Sequence, residues 1–70
     1  MLKCYRKKNN LTQRQIARKT GLSQSYISKL EKQEVLHSPT IKQVISLATA
    51  LNISPYDLCA WFIDKELFKL

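Results

Sequence analysis

The seventy-residue sequence predicts an all-α domain of five short helices. Three observations carry that prediction. Thr12, Ser23, Thr40 and Ser54 each precede an apolar pattern of helical period, as an N-cap residue does. The single glycine, Gly21, lies between two such starts, where positive φ lets the chain turn sharply without a Cβ clash. No window alternates in the manner of a strand bounded by hairpin turns.

The first helix is expected over 2–8, with Leu2 and Tyr5 facing inward. The second spans 12–20 and opens with Thr12 and Gln15, the two halves of a capping box, with Ile16 and Ala17 inside. The third spans 23–32, with Ile27 and Leu30 inside. Tyr26 occupies the N3 position after Ser23, so that start lacks the reciprocal half of the box. The fourth, 40–51, repeats the box with Thr40 and Gln43 and turns Ile41, Val44, Leu47, Ala48 and Leu51 inward. The fifth, 54–68, has Pro55 at N1, where a missing N–H is harmless, and Asp57 at N3, where it meets the helix dipole. Leu11 with Ile16, Leu22 with Ile27, and Ile53 with Leu58 have the spacing of hydrophobic staples. Residues 33–39 form the longer loop.

A chain of this length makes one domain, 1–70, with a modest core and no room for the deep cleft of a small-molecule enzyme. Its formal charge of +7 favours an anionic partner. Ten of the twelve basic residues precede position 43, whereas Asp57, Asp64 and Glu66 lie near the C-terminus. Cys4 and Cys59 lack metal-ligand spacing and read as reduced thiols. No signal peptide or membrane-spanning run is evident, so a soluble, cytoplasmic protein is expected. The lone histidine, His37, has no matched partner, and no glycine-rich phosphate loop or metal cluster is present. No catalytic residue, metal, cofactor, small-molecule substrate or membrane partner is therefore expected.

Two helices joined at Gly21 make a helix-turn-helix unit over 12–32, whose second helix is able to enter the major groove of double-stranded DNA. With Ile27 and Leu30 inward, Gln24, Ser25, Ser28 and Lys29 face outward and become the candidate base readers. Glutamine can bond adenine bidentately, lysine can reach guanine acceptors, and serine can bond either. Phosphate contacts are expected at the helix starts, from Thr12 and Gln13 and from Ser23, and at the end of the third helix from Lys32 and the loop near His37. The apolar residues after Leu58 are too broad for one inward stripe. Leu58 is expected to pack internally with Trp61 or Phe62. Trp61, Phe62, Ile63, Leu67 and Phe68 are the candidate dimerisation residues.

In order along the chain stand Arg6, Leu11-Thr12-Gln13, Ile16-Ala17, Gly21, Ser23, Ile27-Ser28, Glu31, Ser38-Pro39-Thr40, Ala48 and Leu51. This set resembles the phage repressor and Cro-type helix-turn-helix family, often called the XRE family, over residues 2–58. The resemblance implies a five-helix lambda-repressor-like DNA-binding domain, working as a homodimeric transcriptional repressor on a near-palindromic operator. It also implies that Gln13 contacts a phosphate and braces Gln24, and that Arg6 and Glu31 form an internal ion pair. Gln33 departs from the family pattern, which usually has glycine there. The competing expectation is a protein-interaction or antitoxin-like module that uses the C-terminal apolar helix.

Overall fold

A computed structural model describes residues 2–32 and 38–69, the side chain of Lys69 excepted. Among the described residues five helices follow in order: α1 Leu2–Lys8, α2 Gln13–Thr20, α3 Gln24–Lys32, α4 Ile41–Leu51 and α5 Pro55–Lys69. There is no strand among the described residues. α4 packs against α2 and α5, α2 against α3, and α1 against α3. The loop containing Gln33 and His37 lies outside the described residues.

Local chemistry accounts for the helix starts. The Thr12 hydroxyl accepts from the Gln15 N–H at 3.1 Å while the Gln15 side chain accepts from the Thr12 N–H at 2.8 Å. Thr40 and Gln43 repeat this arrangement at 3.1 and 2.9 Å. Each pair satisfies two of the first-turn donors that a helix leaves unbonded. Ser23 accepts only from Tyr26 N–H, and Ser54 from Tyr56 N–H. Helix ends are made by left-handed residues: Gly21 at φ 74° after α2 and Asn52 at φ 58° after α4.

The core comprises Leu2, Ile16, Ile27, Leu30, Val44, Leu47, Ala48, Leu51, Leu58 and Phe62. Tyr5, Leu11, Ala17, Leu22 and Ile53 pack against it partly buried, so each staple residue meets the core beside its partner. Asn9 ties the end of α1 to the end of α4: its side-chain N–H groups donate to Tyr5 O and Leu51 O, both at 2.8 Å.

Two expectations about apolar residues are corrected. Ile41 is 65% exposed rather than core. The inner face of α4 is centred on Val44, Leu47 and Leu51, and at about 100° per residue Ile41 falls on its edge, beside exposed Ile45. Phe62, expected both as an internal partner of Leu58 and as a dimerisation candidate, is 7% exposed and belongs to the core, so the second role is corrected. It lies one helical turn beyond fully buried Leu58, so both project inward from α5. Half-buried Trp61 meets Phe62 edge-on with ring centroids 4.9 Å apart, and the Lys65 ammonium lies 4.7 Å from the Trp61 ring centre.

Candidate nucleic-acid interface

Gly21 sets the angle between α2 and α3. Its N–H closes the last turn of α2 on Ala17 O at 2.9 Å, and the next residues lead directly into α3. The Thr20 hydroxyl assists by donating to Ile16 O at 2.8 Å and accepting from Leu22 N–H at 3.2 Å. The Gly21 and Leu22 N–H groups are thus bonded from within the unit.

Ile27 and Leu30, at 3% and 2% exposure, pin the inner face of α3. Their burial directs Gln24, Ser25 and Lys29 to solvent, together with Lys32 at the helix end; Ser28 is half-buried at the edge of this face. A row of uncommitted amide, hydroxyl and ammonium groups on a rigid helix can donate to and accept from base edges.

Glu31 joins three helices. Arg6 Nε donates to Glu31 Oε2 at 2.6 Å and Arg6 Nη2 donates to Oε1 at 3.1 Å, a bidentate pair with side-chain exposures of 13% and 5%. Arg6 Nη1 also donates to Leu11 O at 3.0 Å, just ahead of α2. Gln13 Nε2 donates to Glu31 Oε1 at 3.1 Å. Burial pushes the Glu31 carboxyl pKa up. The hydrogen bonds from Arg6 and Gln13, with the charges of Arg6 and Lys3, outweigh that effect and hold it below the usual glutamate range. Among the described residues Gln13 is therefore bonded to Glu31, not to Gln24. Its amide oxygen and second N–H remain available at the start of α2.

Thr12 and Ser23 are exposed, but their hydroxyls are occupied as caps. What they offer a phosphate is mainly the positive end of the helix behind them. The expected contribution of the loop near His37 falls outside the described residues.

A second surface lies on α4 and α5. Among the described residues, the exposed large apolar ones, Ile41, Ile45, Tyr56, Ile63, Leu67 and Phe68, all belong to these two helices. A shallow groove between the helices is lined by Pro39, Ile41, Val44, Cys59, Ile63 and Leu67. Of the dimerisation candidates, Ile63, Leu67 and Phe68 stand free at 53%, 60% and 93% exposure, while Trp61 and Phe62 are engaged internally. Sequence reasoning did not place Ile41 and Ile45 on this face. Their i, i+4 spacing is the available signal, but Ile41 alone is assigned to the inner stripe of α4 and Ile45 is given no place.

Cys4 is exposed, Cys59 half-buried, and both are free thiols. The described residues contain no cluster of His, Cys, Asp or Glu able to hold a metal, and no helix long and apolar enough to cross a membrane. Tyr26 links α3 to the start of α4 through a long bond from its hydroxyl to Gln43 Oε1 at 3.4 Å. No local pattern in the sequence announces that contact.

Comparison with known proteins adds two findings. The family described as Helix-turn-helix matches residues 2–58. The chain is also similar to "Control protein C.SmaI" of Serratia marcescens, with 42% identity over 53 residues, 76% of this chain and 61% of that protein's length. No solved structure gives a significant match.

Proposed function

The chain belongs to the helix-turn-helix family, and from that premise we propose that it is a sequence-specific regulator of transcription that binds double-stranded DNA. The observation that carries this reading is the division of α3. Its inner face is fixed by Ile27, Leu30 and the Arg6–Glu31 pair, while Gln24, Ser25 and Lys29 stand outward on a helix able to enter a major groove. Gln24 and Ser25 open that helix and read bases most directly, followed by Ser28 and Lys29. Thr12, Gln13, Ser23 and Lys32 hold the sugar-phosphate walls on either side. The excess of basic residues in 1–42 supplies the attraction to phosphate. That the similar Serratia marcescens protein is named a control protein is in keeping with a regulatory role.

The protein acts as a repressor by occupying a promoter, and as a homodimer. One small module contacts too few bases for useful discrimination, whereas a two-fold pair reads two half-sites about 34 Å apart on a near-palindromic operator. Ile63, Leu67 and Phe68 supply the self-association face. A second reading, an interaction module for another protein, draws on the same apolar face and is compatible with DNA binding.

The test is selection of bound duplexes from a random library, followed by gel shifts with Gln24→Ala. Loss of a bidentate base contact removes about 1–3 kcal/mol of discrimination. The expected outcome is that preference for the selected duplex over a scrambled one collapses while weak, salt-sensitive binding persists. Unchanged preference removes Gln24 from the reading role.

A further inference from the structure

We infer that Arg14 and Arg18, on the outer flank of α2, are a second set of phosphate-gripping residues that run along the DNA backbone; this rests on the DNA-binding reading above. Both are exposed, and among the described residues neither guanidinium has an acidic partner. They stand four residues apart on the same stripe of the helix.

The position of that stripe follows from the neighbours of α2. The inward stripe is Gln13, Ile16, Ala17 and Thr20, all buried or half-buried. Lys19 borders it on the Ile16 side and lines a groove with Ile45, Ser46, Thr49 and Ala50, so α4 lies on that side. At about 100° per residue, Arg14 borders the inward stripe on its other side, next to Gln13 and Ala17, and Arg18 stands beside Arg14, further round toward the outer face. Gln13 is bonded there to Glu31 of α3. The two arginines therefore flank α2 on the side turned from α4 and toward α3. In a helix-turn-helix unit whose second helix occupies the groove, the first helix crosses the backbone. A pair of guanidiniums about one helical turn apart on that flank is placed to meet phosphates.

Charge supports the same occupant. The described acidic residues outside α5 reduce to Glu31, which is already paired with Arg6. Nothing described on the α2–α3 side neutralises Arg14 or Arg18 within the protein, and a phosphate backbone is the complementary surface. Arginine also suits the role geometrically, since its planar fork can bond a phosphate through two N–H groups.

The test measures affinity against salt concentration for two duplexes: one recovered by selection from a random library, and one of mixed sequence and equal length. Each phosphate contact contributes about 0.9 to the slope of log affinity on log salt. Arg14→Ala and Arg18→Ala are each expected to lower the slope by about that amount on both duplexes, and the double variant by about twice as much. Preference between the duplexes should be kept, and Arg14→Lys should retain the slope. Lys19→Ala, on the α4 side, should leave it unchanged. An equal fall for Lys19→Ala reduces the effect to net charge and overturns the assignment. An unchanged slope in the double variant also overturns it and leaves the stripe to an acidic protein partner. If the unsubstituted chain binds neither duplex, the DNA-binding reading fails together with this one.

Discussion

Replacing Arg6 with alanine tests the central joint of the fold. In the native chain the Glu31 side chain is 5% exposed and receives two N–H bonds from Arg6 and one from Gln13. Without Arg6 the carboxylate stays buried with Gln13 as its remaining hydrogen-bond donor. Stranding one member of a buried ion pair costs about 3–5 kcal/mol. The lost Arg6 bond to Leu11 O adds about 1 kcal/mol, the ordinary net value of a hydrogen bond. Arg6 is itself 13% exposed, which brings the sum toward about 3 kcal/mol. A folded chain of this size has a total stability of roughly 4–10 kcal/mol, so Arg6→Ala should remove about three tenths of it or more. Adding Glu31→Gln should restore part of the loss, because a neutral amide is less costly to bury. Urea unfolding followed by far-UV circular dichroism measures both variants.

The pH dependence gives a second readout. Glu31 has a lowered folded-state pKa, so its stabilisation is present above the unfolded value, about 4.3, and is lost as pH falls through the folded value. Arg6→Ala removes the strongest partner and leaves burial, which raises the pKa. The variant should therefore lose little further stability over the acid range in which the native chain weakens. A loss below about 1 kcal/mol at neutral pH, the scale of an exposed pair, would refute the joint. So would identical acid profiles for the native chain and the variant.

Two further outcomes follow from the same structure. Gly21→Ala should destabilise by about 1–2 kcal/mol through backbone strain alone, since φ is +74° but an added Cβ meets nothing within 4 Å; a thermal melt in which Tm is unchanged would remove the left-handed turn from the account. Leu67→Ser with Phe68→Ser, both on exposed positions, should leave the melt nearly unaltered and shift the sedimenting species toward monomer. A pair of substitutions without effect on the association constant would move the dimer contact elsewhere.

Helix starts and stops were legible in the amino-acid order because they are settled within a few residues. A threonine and the glutamine three places on can close a capping box regardless of the rest of the chain, as at Thr12–Gln15 and Thr40–Gln43. A lone glycine marks the tight turn because φ of +74° costs glycine little and strains most residues that carry a Cβ. Those features sufficed to locate five helices and a polar outer face on the third. The Arg6–Glu31 contact was expected only through resemblance to a family; spacing does not reveal a bond between residues so far apart in the chain.

Which edge of a helix is covered depends on what packs against it, and that is where periodicity stopped being informative. On α4 the inner stripe proved narrower than its apolar content, leaving Ile41 exposed. On α5 apolar residues occur around most of the helix, so their spacing left open whether Trp61 or Phe62 joins Leu58 in the core; Phe62 does, and Phe68 stands at 93% exposure. The same limit hid the bond from Gln13 to Glu31, the reach of Asn9 to Leu51, and the side of α2 on which Arg14 and Arg18 stand. Each depends on the angle between helices distant in sequence, a quantity set by how whole side-chain surfaces fit together.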